Sequence, residues 1–176
     1  PKHIAGLLCS AILSDTLMFR SPTCTPLDEQ VARKLAQQAD IDIQSYAEAM
    51  FSAASDLASR TDEEIFYQDY KEFSAGGVEF GVGQITSMNS ADLQTVKERM
   101  EPFMEELVAK NGKDMIILML THIIDESSIL LFKGPKAKEL LGEAYHAEFD
   151  GDTIFVPGMV SRKIQLIPDL LAVTRQ

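Results

Sequence analysis

The side chains of this sequence that could do chemistry include three cations. Arg162 and Lys163 are adjacent in the chain, and Lys71 stands in a strand-like segment. Grouped cations can hold a small anion such as a phosphate through charge-assisted hydrogen bonds. By themselves, these residues also have plainer interpretations. Arg162-Lys163 would be an ordinary solvated pair, and Lys71 would be a charge that protects a strand edge from aggregation.

Two further clusters favour the plainer interpretation more strongly. His122 precedes Asp125 and Glu126, which suggests a metal site, but it also follows an apolar run. We therefore expect His122 to be a satisfied core or strand-end histidine, with a position near a domain cleft as the alternative. A second basic group is expected to be the solvated start of a helix; it comprises Lys133, Lys136 and Lys138.

The composition restricts the class of partner. The 176 residues carry a net charge of −11, whereas a protein that binds nucleic acid needs a basic face to displace counterions. We therefore expect no nucleic-acid partner, although a small anion bound to a local group of cations remains possible. No segment approaches the roughly 20 apolar residues that cross a bilayer, so we expect no membrane association.

The two cysteines bear on the cellular compartment, and the N-terminus bears on whether the sequence is a fragment. Cys9 and Cys24 cannot form the disulfide framework of a small secreted protein, and we therefore expect a cytoplasmic location. The sequence begins at Pro1, without an initiator methionine or a signal-peptide pattern. We expect it to be a piece of a longer chain.

The first 60 residues are predicted to be helical. Residues 4–13 are apolar nearly all round, which predicts a buried helix. Thr25, followed by a proline, predicts the N-cap of a helix that runs to about Ala39. An amphipathic helix is predicted over residues 43–58, and the polar segment that follows predicts a linker, with a domain boundary near residue 60.

The rest of the chain alternates between strand and helix patterns. Gly76-Gly77 predicts a hairpin turn between two strands. The predicted elements are strands over 66–74 and 78–82, a helix from 90 to about 111, strands over 115–120 and 129–132, a helix over 135–145, a strand over 154–156, and a terminal helix. Strands and helices interleaved in this way predict an α/β fold with a mixed β-sheet flanked by helices.

Three segments together resemble the family II, DHH-type inorganic pyrophosphatases. They are AILSDTLMFRSPTCT at residues 11–25, DYKEF at 69–73 and VSRKIQ at 160–165. Each motif alone is weak, but three in the right order with a matching linker are specific, and they extend over almost the whole chain. The resemblance implies that residues 1–60 are the C-terminal helices of a DHH domain plus a linker, and that residues 61–176 form a DHHA2 domain.

The resemblance also implies the roles of five residues. Asp15 would ligate a metal ion, expected to be Mn²⁺, with Mg²⁺ or Co²⁺ as alternatives. Lys71, Ser161, Arg162 and Lys163 would bind the phosphates of pyrophosphate. Arg162 and Lys163 would also act in catalysis, because cations offset the charge that shifts onto the leaving phosphate. Where the family has a further lysine, this sequence has Ile164.

The sequence departs from the family by an absence. The Asp-His-His triplet that names the superfamily does not occur, and the three histidines lie in other contexts. One candidate carboxylate cannot hold two metal ions, so we expect this chain alone to be inactive. Because the helix over 4–13 needs apolar neighbours that this chain lacks, we also expect a homo-oligomer.

Two other functions stay open. A DHH-type exopolyphosphatase shares the second domain but acts on longer chains. A non-catalytic phosphate- or pyrophosphate-binding module would keep the cations without the chemistry. Exonucleases of the same superfamily carry a glycine-rich motif that runs into a histidine, whereas here Gly76-Gly77 is followed by Val78, Glu79 and Phe80. We therefore exclude that branch.

Overall fold

We describe the fold from a computed structural model, which covers residues 1–54, 56–57 and 59–175. The chain divides into two units, Pro1–Ser55 and Asp56–Gln176. None of the helices in the described part of the chain is long and apolar enough to cross a bilayer.

The first unit consists of helices α1 (Lys2–Asp15), α2 (Pro26–Ala39) and α3 (Ile43–Ala54). The predicted N-cap at Thr25 is confirmed: its hydroxyl oxygen accepts the Asp28 N–H at 3.2 Å, and the Asp28 carboxylate accepts the Thr25 N–H at 2.8 Å. This reciprocal pair is a capping box. Helix α3 ends before the predicted residue 58, since Asp56 and Leu57 are not helical; residues 55 and 58 lie outside the described residues.

Helix α1 buries one stripe and not its whole circumference. Its buried residues are Ala5, Cys9 and Leu13, four residues apart, and the Cys9 thiol contacts the Ala32 carbonyl of α2 at 3.6 Å. Leu7 and Leu8 are 66% and 52% exposed. Within this chain, the burial predicted for this helix is therefore met on one side only.

The second unit is built on one mixed sheet. Its elements are α4 (Asp62–Phe66), β1 (Tyr70–Ala75), β2 (Val78–Ser87), α5 (Ser90–Asn111), β3 (Met115–His122), β4 (Ser127–Lys133), α6 (Ala137–Tyr145), β5 (Thr153–Pro157), a π-helical turn (Arg162–Leu166) and α7 (Ile167–Thr174). The strand order is β1-β2-β3-β4-β5, with β2 and β3 parallel and all other neighbours antiparallel. The predicted α/β fold with a mixed sheet is confirmed.

Each face of the sheet carries its own apolar core. On the first face, strand residues such as Val82, Met119 and Leu130 pack with residues of α6 and α7. On the second face, Leu118 and Leu131 pack with residues of α4 and α5. Since both faces are covered, the central strand β3 is apolar without alternation from Met115 to Leu120.

The hairpin between β1 and β2 sets the register that matters for the site. Gly76 and Gly77 have φ values of +57° and +76°, which the turns of two-residue hairpins require and glycine adopts at little cost. The resulting pairing places Lys71 opposite Val82. Along β1, side chains alternate between the two faces, and Phe73 packs against the first-face core. Lys71, two residues earlier, therefore lies on the first face as well.

Candidate phosphate-binding site

Arg162 and Lys163 are presented by a short connection that follows β5. We call residues 158–161 the strap. The Gln165 side chain folds back onto it: the amide oxygen accepts the N–H groups of Val160 and Ser161, both at 2.9 Å, and the amide nitrogen donates to the Gly158 carbonyl at 2.8 Å. One side chain thus pairs three backbone groups of the strap.

The residues after the strap form a π-helical turn. Leu166 donates its N–H to the Ser161 carbonyl at 3.3 Å, and Ile167 donates to the Arg162 carbonyl. These are the i to i+5 bonds of a π-helix, a rare form that often occurs at functional sites. The proline that follows Ile167 has no N–H and so cannot continue a regular helical ladder to Ile164.

Ser161 has a structural role in this turn. Its hydroxyl oxygen accepts the Ile164 N–H at 3.3 Å, and its own N–H is taken by Gln165. The residue is only 9% exposed. The predicted substrate contact of Ser161 thus falls on a side chain that already caps the π-helical turn.

The guanidinium of Arg162 is buried against the start of β1. The residue is 8% exposed. Nη1 donates to the carbonyls of Asp69 at 2.6 Å and Val82 at 3.1 Å, and Nη2 donates to Asp69 Oδ1 at 2.7 Å. A guanidinium has five N–H donors. Among the residues that the structure describes, the Nε–H and the second Nη2–H have no partner, and these two form a fork of the kind that binds a phosphate bidentately.

Lys71 and Lys163 lie next to Arg162 and its partner Val82 in the fold, and no described residue neutralises them. Lys163 is the next residue after Arg162, and Lys71 pairs with Val82, whose carbonyl accepts from Arg162. Both lysines are exposed. In the described part of the chain, neither forms an ion pair. The structure thus brings Lys71 and Arg162-Lys163 to the same face of the sheet, although they are far apart in sequence.

Sequence reasoning missed Asp69 as a functional residue. The resemblance placed it in the DYKEF segment, but only the structure shows its carboxylate on Arg162. A carboxylate two residues before a candidate cation was the available signal. The pairing joins residues 93 positions apart, which local periodicity cannot detect.

The second basic group differs from the first because it is neutralised. Lys133 pairs with Glu105 at 2.8 Å and Asp152 at 2.6 Å, and Lys136 and Lys138 pair with Asp114 and Asp152. The prediction of a solvated helix start is wrong for Lys133, which belongs to β4 with its side chain only 11% exposed. This group is therefore a structural ion-pair network.

Asp15 is an exposed residue at the end of α1 in the first unit. A left-handed turn follows it, in which Leu17, Met18 and Phe19 have φ values of 48°, 53° and 69°. Each non-glycine residue in this region costs on the order of 1–3 kcal/mol, and such strain is concentrated at functional sites. Thr16 braces the turn, since its hydroxyl oxygen accepts the Phe19 N–H at 3.2 Å.

The described residues do not fit a metal centre by themselves. Within residues 1–54, 56–57 and 59–175, no three His, Cys, Asp or Glu side chains are grouped so as to hold a metal ion, whereas a hard cation takes about six ligands. Asp15 supplies one carboxylate. His122 is a strand-end residue whose Nδ1 accepts the Asp125 N–H at 3.1 Å. The Asp125 carboxylate lies equally close to the same nitrogen. The backbone N–H is the hydrogen-bond partner, because it always carries a proton to donate.

Relatives named as inorganic pyrophosphatases match almost the whole chain. A protein of Clostridium acetobutylicum named a probable manganese-dependent inorganic pyrophosphatase is 43% identical over 169 residues, which are 96% of this chain and 54% of that protein. The cobalt-dependent inorganic pyrophosphatase of Clostridium perfringens is 42% identical over 96% of this chain and 31% of its own length. The chain therefore spans about half of the first relative, and less of the second.

A solved structure and a family model agree with these relatives. The crystal structure from Methanococcus jannaschii, of a protein classed with the family II inorganic pyrophosphatases, superposes with a TM-score of 0.85 at 35% identity. The match covers 99% of this chain and 56% of that one. The model of the DHHA2 domain matches residues 48–173, which include β1, the strap and the π-helical turn. This chain belongs to the DHHA2 domain family.

Proposed function

We propose that this chain is the substrate-binding part of a manganese-dependent inorganic pyrophosphatase, which hydrolyses pyrophosphate to two orthophosphates. The observation that carries the proposal is the placement of Lys71, Arg162 and Lys163 on one face of the sheet, with both lysines unpaired among the described residues. In a chain of net charge −11, such a group is where an anion is attracted. The names of the relatives support the choice of pyrophosphate.

The geometry of Arg162 suits a phosphate group. Asp69 occupies one edge of its guanidinium and fixes its plane, while the Nε–H and an Nη2–H have no partner among the described residues and can donate to two phosphate oxygens. Lys163 and Lys71 supply point charges beside this fork. In pyrophosphate hydrolysis, charge shifts onto the leaving phosphate, and fixed cations that offset it lower the barrier. We propose that Arg162 and Lys163 serve this role.

We further propose that Asp15 contributes one oxygen ligand to a Mn²⁺ site, with Co²⁺ or Mg²⁺ as alternatives. The strained turn after Asp15 supports a functional position. Residues 1–60 would then be the end of a DHH domain with its linker, and residues 61–176 the DHHA2 domain that holds the substrate. The two free cysteines suit the reducing cytoplasm as the location.

A homo-oligomer is also part of the proposal. On one side of α1, Ile4, Leu7 and Leu8 are 44%, 66% and 52% exposed. An apolar patch of this kind marks an interaction surface. We propose that copies of this chain associate through it when the rest of the protein is absent.

The test compares lysine variants in the complete natural protein. Loss of one charged hydrogen bond to phosphate costs about 1.5–3 kcal/mol, so Lys163→Ala and Lys71→Ala should each lower manganese-dependent kcat/KM for pyrophosphate by roughly 10- to 150-fold. Lys97→Ala is the matched control, because Lys97 lies in α5 and also lacks an ion pair among the described residues. Equal effects of all three variants would refute the assignment. A preference for longer polyphosphates would instead indicate an exopolyphosphatase.

A further inference from the structure

On the first face of the sheet, three polar side chains lie beside the apolar core, each in line with the core residues of its own strand. They are Gln84 in β2, Thr121 in β3 and Ser128 in β4, and the register pairs Thr121 directly with Ser128. Thr121 is 0% and Ser128 1% exposed. Buried hydroxyl groups are costly unless they are hydrogen-bonded. The hydrogen-bond partners of these two residues therefore show which part of the structure they hold in place.

The hydrogen bonds of these three residues run in one direction. The Ser128 hydroxyl donates to the Met159 carbonyl at 2.7 Å, so its oxygen accepts from the Thr121 hydroxyl at 2.9 Å. The Thr121 oxygen in turn accepts from the Gln84 amide at 3.1 Å, and that amide also donates to the Val160 carbonyl at 3.1 Å. Every hydrogen of the three polar groups is used. Such connected networks are cooperative.

These hydrogen bonds end on the strap. Ser128 donates to the Met159 carbonyl and Gln84 donates to the Val160 carbonyl. Gln165 donates to the Gly158 carbonyl and accepts the N–H groups of Val160 and Ser161. Hydrogen bonds from the sheet and from the π-helical turn therefore fix the position of the strap. Arg162 is the next residue, and its guanidinium must reach Asp69.

We propose that Gln84, Thr121 and Ser128 are positioning residues, which set the strap and thereby aim Arg162 and Lys163 at the bound anion. The identity of that anion rests on the function proposed above. Thr121 is the central member, because its hydroxyl is the link between the Gln84 amide and Ser128. Displacement of a binding group by about 1 Å is enough to lower activity by roughly 100-fold. These three residues therefore act on the anion without touching it.

The test replaces the Thr121 hydroxyl and follows Arg162 directly. Thr121→Val removes the hydroxyl at nearly constant shape, and Thr121→Ser restores it. Thr153→Val is the matched control, since Thr153 is a buried strand residue of the same sheet that loses one bond, to the Asp150 carbonyl at 2.7 Å. For each variant of the 176-residue chain, two quantities are measured: the NMR resonance of the Arg162 Nε–H, and the affinity for added pyrophosphate.

Thr121→Val should shift or broaden the Arg162 Nε–H resonance and weaken pyrophosphate binding by roughly 10- to 100-fold. Thr121→Ser and Thr153→Val should keep both close to the wild type. If Thr121→Val behaves like Thr153→Val, the proposal is wrong. Ser128→Ala removes the bond to the Met159 carbonyl and the bond from Thr121 but keeps both bonds of the Gln84 amide, and it gives the same test should the valine variant not fold. A wild-type chain that does not bind pyrophosphate would contradict the proposed function, while the Arg162 resonance would still decide the positioning role.

Discussion

At the scale of single residues, the contacts of Asp69 reconcile the burial of Arg162 with the phosphate-binding role proposed for it. A buried cation needs a partner, because an unpaired charge under the surface is costly. A side chain that binds phosphate needs free N–H donors that point to the anion. Asp69 binds one edge of the guanidinium through its carbonyl and carboxylate oxygens, and no described residue binds the Nε–Nη2 edge. Family resemblance predicted a phosphate-binding role for Arg162, but it could not predict the burial of this residue, which depends on partners 93 and 80 residues away.

Asp69→Asn should lower the free energy of unfolding, by about 1–3 kcal/mol. The oxygen acceptor is kept, but the charge that compensates Arg162 is lost. Asp62→Asn is the matched control: Arg99 is also bound by one aspartate and two carbonyls, those of Leu57 and Arg60.

The two arginines differ in burial, with 9% of the Arg162 side chain exposed against 31% for Arg99. The loss in Asp62→Asn should therefore be the smaller one, because solvent screens a more exposed pair. Urea unfolding of both variants measures the difference. Equal losses would show that burial of Arg162 does not make its pairing matter more.

At the scale of elements, the sequence predicted the helices and strands well where periodicity was strong. The hairpin at Gly76-Gly77 and the apolar strand from Met115 were recognisable because their signals are local. Strand β2 continues to Ser87, beyond the predicted end at Val82, since polar Gln84 breaks the apolar pattern. Its amide is satisfied by Thr121 and by the strap. The π-helical turn has no local signature that would distinguish it from the start of a helix.

The ion-pair network around Asp152 joins β4, α5 and α6, and it should make stability depend on pH. The hydrogen bond from Lys133 holds the pKa of Asp152 below its ordinary value, with a further contribution from Lys138. A carboxylate whose pKa is lowered by folding stabilises the fold above its unfolded-state pKa, about 3.9. That contribution is lost as the pH falls through the lower folded-state value.

Asp152→Asn should therefore be less stable than the wild type at pH 6, and the difference should shrink towards zero as the pH falls below about 3.9. Asp150→Asn, which removes a nearby carboxylate without an ion pair among the described residues, controls for the change in net charge. Urea midpoints between pH 2 and pH 6 measure both. A difference that stays constant over this range would mean that the lowered pKa contributes nothing to stability.

At the scale of the whole molecule, several features are consistent with the proposal that this chain acts together with a further domain. It spans 54% of its Clostridium acetobutylicum relative, and α1 exposes Leu7 and Leu8. Lys71, Arg162 and Lys163 belong to the second unit, whereas the candidate metal ligand Asp15 belongs to the first. The family could be recognised from three motifs. The pairing of Arg162 with Asp69 could not, because it joins residues 93 positions apart.

The chain alone should bind pyrophosphate but release no phosphate from it, even with saturating Mn²⁺. The proposed site of Arg162, Lys163 and Lys71 would hold the anion, but the described residues offer no group of three metal ligands. Joining to this chain the part of the Clostridium acetobutylicum relative that it does not match should then create manganese-dependent turnover, and Lys163→Ala in that fusion should lower it. Phosphate release is measured for the chain, the fusion and the fusion variant. Turnover by the chain alone, well above that of buffer, would show that it holds metal ligands other than Asp15. An active fusion that is insensitive to Lys163→Ala would instead locate the substrate cations elsewhere.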